Sequence, residues 1–228
     1  MATQSLPATL GNPAYPTSDG RPMAETDIHR QNMNDLIETL DIHFQDDPLV
    51  YVSGNLLMFY VRGNKRKHIS PDVFVVKGIV KGQRLNYIIW EEGKAPRVVI
   101  ELTSSSTRAV DTKKKFALYQ DVLRVPEYFM FDPHGDYLDP PLQGYRLQKG
   151  LYVPIRPIHG RLPSKELGLH LEGDDDRLRL DDPATGERLA TPREAWRQEA
   201  LARQQAQAEL ARLRQELDRL RHDGRPNP

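Results

Sequence analysis

The chain has 228 residues, with 32 basic and 32 acidic side chains and a formal net charge of zero. That length holds one domain of about 150–190 residues plus a tail. The balanced charge excludes a uniformly basic nucleic-acid coat and leaves room only for a local basic cleft. There is no cysteine, which excludes disulfide scaffolds, thiolate zinc sites, iron–sulfur clusters and cysteine nucleophiles; the inventory is compatible with a cytoplasmic protein, the location we expect.

No apolar run approaches the roughly 20 residues that a membrane span needs. The start, Met1 to Pro7, shows no basic stretch followed by an apolar one, so neither a membrane anchor nor a signal peptide is expected.

Residues 1–22 contain Pro7, Pro13, Pro16, Pro22, Gly11 and Gly20 and few large apolar side chains. Such a segment buries too little surface to offset its ordering entropy, and it reads as a flexible tail. Glu25–Phe44 reads as a helix, because Ile28, Met33, Leu36, Ile37 and Leu40 fall near a 3.6-residue period. Strands follow: Leu49–Val52, then Leu56–Val61 after the turn Ser53-Gly54-Asn55, then Ile69–Val76. Pro71 inside the last run suggests an edge or a bulge.

Arg97–Leu102 is short and mostly apolar, as a central buried strand would be. Thr107–Leu123 reads as a helix and Glu127–Phe131 as a strand closed by Asp132-Pro133. Strand, helix and strand make a βαβ unit with its two strands parallel. Tyr145–Leu147, Tyr152–Ile155 and Leu178–Leu180 are expected as small peripheral strands.

From Pro192 the composition turns to Arg, Gln, Glu, Ala and Leu. Trp196, Glu199, Arg203, Ala206, Leu210, Leu213, Leu217 and Leu220 are spaced alternately by three and four, the a/d register of a heptad. A solvated helix and an oligomerising coiled coil both fit; we expect the coiled coil. The domain plan is thus a tail (1–22), a globular domain (23–190), a helical tail (191–222) and a disordered end (223–228).

Two carboxylates stand out by placement. Asp72 opens Asp72-Val-Phe-Val-Val76, and Glu101 lies within Val98-Val-Ile-Glu-Leu102. A carboxylate in an apolar strand is costly to bury unless it is paired or holds a cation. Two acids from adjacent strands make a hard oxygen site suited to Mg²⁺ or Mn²⁺; from periodicity alone a buried salt bridge or a solvent-facing strand residue accounts for them better. Asp111, Lys115 and Tyr119 share a helical face, and a lysine beside such a site could stabilise charge on a phosphate. The basic run Arg62–His68, with Lys65, Arg66 and Lys67, precedes Asp72 and either grips phosphates or caps a charged hairpin. The histidines are scattered without metal-ligand spacing, and no glycine-rich phosphate loop is present. Glu172–Asp176 reads as a solvated acidic loop.

Together, Pro71-Asp72, Val99-Ile-Glu-Leu-Thr-Ser104, Asp111-x-x-x-Lys115-x-x-x-Tyr119 and Val125-Pro-Glu-Tyr-Phe-x-Phe-Asp-Pro133 resemble the Uma2 family of the PD-(D/E)XK nuclease superfamily. Trp90–Gly93 and Pro141–Gly144 add to the likeness, which covers about residues 23–190. The resemblance implies a restriction-endonuclease-like α/β fold, a mixed β-sheet core flanked by helices, here with a helical coiled-coil tail at the C-terminus. It makes Asp72 the first acidic metal ligand, Glu101 the second, and the Leu102 carbonyl a backbone ligand. It makes Lys115 catalytic and Glu25 an accessory acid, with Tyr119 beside them. The superfamily lysine stands two residues after the second acid, where this chain has Thr103; in the Uma2 pattern it has moved to the following helix, at Lys115.

The expected function is Mg²⁺- or Mn²⁺-dependent hydrolysis of DNA by a homodimer. The alternatives are a non-catalytic scaffold that keeps the fold, suggested by Thr103, the zero net charge and the tail, and a hydrolase of small phosphate esters, which the missing phosphate loop disfavours.

Overall fold

The computed structural model describes residues 10–18, 20, 26–103 and 110–223. It divides into two units, Met1–Leu189 and Ala190–Pro228. In the first, α1 spans Asp27–His43, where Thr26 caps it by accepting from the His29 N–H and Asp27 places an acid in the first turn. One stripe of α1 is buried: Asn32, Met33, Leu36, Thr39 and Leu40.

Among the described residues of this unit, twelve strands and a short second helix follow: β1 (Val50–Ser53), β2 (Met58–Phe59), β3 (His68–Ile69), β4 (Val73–Lys77), β5 (Tyr87–Ile88), α2 (Ile89–Glu92), β6 (Val98–Leu102), β7 (Glu127–Phe131), β8 (Leu142–Gln148), β9 (Leu151–Pro154), β10 (Leu162–Ser164), β11 (Leu169–Asp174) and β12 (Arg177–Asp181). The main sheet has the order β1-β4-β6-β7-β8-β9. Its β6–β7 pair is parallel and the others are antiparallel. The strands around the expected crossover are therefore parallel, and the sheet is mixed.

The pleat sorts side chains into two cores. Val98, Ile100 and Leu102 join Val73, Val75, Phe129 and Phe131 against α1 and the leucines of β10–β12. Val99, Phe74, Val76, Tyr128 and Met130 face the other way, onto Tyr119, Leu123 and Tyr87. Every residue of β6 and β7 is buried; for β6 the mostly apolar run Arg97–Leu102 implied it.

Four expectations change. The run Ile69–Val76 is two strands in two different sheets, β3 and β4. Pro71 lies in the break between them, where it needs no amide donor and its carbonyl accepts from Asn55 N–H at 2.8 Å. Residues 142–154 join the main sheet, with β8 inside it and β9 at its edge, and β10–β12 form a separate three-stranded sheet. The segment after β6 is wound as π-helix over Val110–Lys115 and Leu118–Val122 rather than as a plain α-helix.

Last, residues 10–18 are held to the domain rather than belonging to a flexible tail. Leu10 N–H donates to Gln83 O at 2.7 Å and Leu85 N–H to Leu10 O at 2.8 Å. The Asn86 side chain bonds Asn12 in both directions, and the Tyr15 ring packs edge-on against Phe59 and Trp90. These bonds are backbone and amide pairings that apolar periodicity does not encode.

In the second unit α3 runs Pro192–Asp223. Thr191 and Glu194 form a reciprocal capping box, each backbone N–H donating to the other's side-chain oxygen, with Pro192 at the first helical position. No helix among the described residues is long and apolar enough to cross a membrane.

Candidate active site

Asp72 stands at the entry to β4 and Glu101 near the end of β6, on neighbouring antiparallel strands. Glu101 shares the face of Val99 and is fully buried. The two acids are tied together through the backbone. Leu102 N–H donates to Asp72 Oδ2 at 2.8 Å, and Asp72 N–H points at Glu101 Oε2 at 3.4 Å. In an extended strand a residue's N–H and C=O face the same neighbour, so the Leu102 carbonyl lies on the Asp72 side of β6.

The segment after β6 brings the other partners. Lys115 Nζ donates to Glu101 Oε2 at 2.8 Å, and the Tyr119 hydroxyl donates to Oε1 at 2.6 Å. Their four-residue spacing places both on one helical face, and both sit in the π-wound stretches, a winding that concentrates at functional sites. Burial, and then the Glu101 charge, push the Tyr119 phenol well above its ordinary value. The hydroxyl therefore keeps its proton and remains a donor. Burial alone would raise the Asp72 carboxyl. The His29 side-chain bond, the Lys115 and His29 charges and the Leu102 N–H outweigh it and hold Asp72 below its ordinary value.

His29, on α1, places Nε2 3.5 Å from Asp72 Oδ1. A lone histidine in a helix carries no spacing signal, and in the sequence Gly54 shows only as part of the turn Ser53-Gly54-Asn55. A Cβ there would stand 1.9 Å from the Asp72 carbonyl oxygen, so only glycine lets the turn after β1 lie against the Asp72 backbone. Asn55 takes a left-handed conformation and holds Pro71 through its N–H.

Thr103, where the superfamily lysine would stand, is buried, and its hydroxyl donates to Phe131 O at 3.1 Å. It links β6 to β7 and contributes no charge. Lys115 supplies the ammonium at the acids instead. Glu25 and residues 104–109 lie outside the described residues, as does the Asp111 side chain.

A groove of about 640 Å³ opens beside this cluster, lined by Lys65, Arg66, His68, Ser70, Ser18 and Lys115 among others. Lys65 Nζ lies 5.5 Å over the Tyr15 ring. Lys67 is exposed on the same turn but does not line the groove. Lys113 and Lys114 are exposed. The acidic stretch 172–176 is not a free loop: Glu172 and Asp174 sit in β11 and pair with Arg188, which also reaches Asp181.

No three His, Asp or Glu side chains gather as a complete metal-ligand set among the described residues. Two carboxylates with a backbone carbonyl beside them still suit Mg²⁺, which keeps several of its waters and takes only one or two acids from a protein.

Among curated proteins, none matches this sequence. One solved structure that matches is a "putative nuclease belonging to DUF820" from Anabaena variabilis, 16% identical, covering 70% of this chain and 87% of its own, with a TM-score of 0.48. The model of the Uma2 family, described as "Putative restriction endonuclease", matches residues 6–179. That match begins well before the domain start expected at residue 23, in keeping with the anchoring of residues 10–18. The mixed sheet flanked by helices is the restriction-endonuclease-like fold, and the chain belongs to the Uma2 nuclease family.

Proposed function

We propose that the protein is an endonuclease that hydrolyses DNA phosphodiester bonds with Mg²⁺ or Mn²⁺. Asp72, Glu101 and the Leu102 carbonyl hold the ion, and Lys115 is the catalytic cation. The observation that carries this reading is the meeting of two carboxylates and one lysine, drawn from three separate segments, at the edge of a basic groove.

The two acids would hold a divalent ion, which would supply Lewis-acid chemistry at the scissile phosphate. The chain's own groups do the rest. Lys115 has three donors, so it can keep its bond to Glu101 and still donate to a phosphate oxygen, opposing the charge that builds there. Tyr119 and the Leu102 N–H each pin one carboxylate oxygen, which spares the acids a rearrangement during the reaction. His29 positions Asp72 from the α1 side. Lys65 and Arg66 bind the phosphate backbone away from the cut.

The scaffold reading drew on Thr103. With Lys115 bonded to Glu101, the absence of a lysine at 103 no longer argues against chemistry.

The test is cleavage of supercoiled plasmid and of a labelled duplex, with Mg²⁺, with Mn²⁺ and with EDTA. We expect nicked or linear product with metal only, and none from Asp72→Asn or Glu101→Gln. Cleavage that survives in both variants, or in EDTA, overturns the assignment.

A further inference from the structure

Among its described side chains the helix α3 has no buried residue. Leu210, Leu213 and Leu217 are each about half exposed, and Trp196 is more exposed still. A long helix with a leucine seam left in water gains nothing from that seam unless something covers it.

The residues flanking the seam say what. With Trp196, Arg203, Leu210 and Leu217 at a and Glu199, Ala206, Leu213 and Leu220 at d, position g is Glu209 and Glu216, and position e is Arg214 and Arg221. In a parallel, in-register pair, g of one helix meets e of the next heptad of its partner. Glu209 then faces Arg214 of the second copy, and symmetry makes the contact twice; in sequence Glu216 and Arg221 stand in the same relation. In an antiparallel pair g meets g and e meets e, so glutamate faces glutamate and arginine faces arginine. The same side chains that attract in one orientation repel in the other. Arg203, a long charged residue at a, can keep its head in water at the open edge of a two-stranded seam, whereas a larger bundle encloses it.

We propose that α3 pairs with α3 of a second copy of this chain, as a parallel, in-register, two-stranded coiled coil. The pairing is independent of the catalytic reading and needs no nucleic acid.

The experiment is the mass of the full chain by light scattering and sedimentation over a dilution series. Wild type is expected as a dimer in equilibrium with monomer. The double variant Leu213→Asp, Leu217→Asp is expected as monomer, with the thermal transition of the nuclease unit unchanged. Glu209→Arg and Arg214→Glu should each weaken the dimer about tenfold, since each turns two attractive contacts repulsive. An equimolar mixture of those two variants should restore the dimer, because the reversed charges complement each other.

Orientation is read from Ala206→Cys in a chain that has no cysteine of its own. Parallel pairing sets the two thiols opposite each other, and oxidation links the dimer. An antiparallel alignment of the leucines separates them by about 27 Å, far beyond disulfide reach. A monomeric wild type, a trimer or larger, a dimer that survives Leu213→Asp with Leu217→Asp, or a dimer that fails to cross-link through residue 206 each overturns the proposal.

Discussion

Glu101 and Glu127 lie on adjacent parallel strands, and both are buried to within a hundredth of full exclusion from water. Each has a cation and a hydroxyl: Lys115 and Tyr119 for Glu101, Arg146 and Ser164 for Glu127. Their surroundings differ in kind. Glu127 also accepts from the backbone N–H groups of Lys165 and Glu166, and it ties β7 to β8 and to the chain beyond β10. Glu101 has a second carboxylate at its side and a basic groove nearby. A buried acid satisfied by rigid donors and an arginine fork holds a fold together. A buried acid set beside another acid is held at an electrostatic cost, which fits a site kept for its chemistry.

Substitution by glutamine should separate the two most sharply. Glu101→Gln should lower DNA cleavage at least a hundredfold and move the unfolding free energy by about 1 kcal/mol or less. The Tyr119 hydroxyl can turn to accept from the new amide, and the amide oxygen can still meet Lys115. At Glu127 no such accommodation exists, because the amide nitrogen would face backbone N–H groups that cannot turn. Glu127→Gln should destabilise the protein by about 3 kcal/mol, with cleavage per folded molecule unchanged. Urea unfolding and plasmid nicking on the same samples measure both, and equal stability losses would erase the contrast.

Lys115→Met should cost about a hundredfold in turnover with little loss of DNA binding. Lys115→Arg should not restore it, since a planar fork cannot replace a compact ammonium. A loss seen wholly in KM would make Lys115 a binding residue. Gly54→Ala should reduce cleavage by displacing Asp72 and destabilise the fold by about 1–3 kcal/mol. Calorimetry together with initial rates tests this; a silent substitution would mean that the turn shifts independently of Asp72.

Acid sharpens the comparison further. Asp72 titrates below its ordinary value in the folded chain, so its ionised form contributes stability that is present above the unfolded value near 3.8 and lost as pH falls below it. In EDTA, Asp72→Asn should flatten that acid limb of the stability curve. The smallest effects belong to the groove: Lys65→Ala and Arg66→Ala should each weaken duplex binding modestly and reduce its salt slope by about one. An unchanged slope would remove the groove from the DNA path.

Much of the site was legible in residue order. Asp72 opens an apolar run and Glu101 interrupts one, and an acid in such a place demands an explanation from desolvation alone. Lys115 and Tyr119 are four apart, so their common face follows from helix geometry. His29 and Gly54 were not legible as site residues: one histidine in a helix has no periodic partner, and a glycine in a turn says nothing about which carbonyl lies against it. Glu127 read as the first residue of a strand within the Val125–Pro133 block, with no partner in view, because its bonds reach residues 19 to 39 positions away.

The linear chain by itself determined the alternation of strands and helices, the parallel β6–β7 pair and the heptad-patterned helix α3, since each follows from local periodicity or chain connectivity. Tertiary structure decided what no local pattern can carry. It split the run around Pro71 between two sheets and placed residues 142–154 in the main one. It fastened residues 10–18 to the domain through amide bonds, and it made one buried glutamate a knot of the fold and its neighbour part of a candidate active site. The reason is that desolvation and hydrogen bonding act on groups brought together across the chain, and two acids in similar apolar strands become different once their partners are chosen.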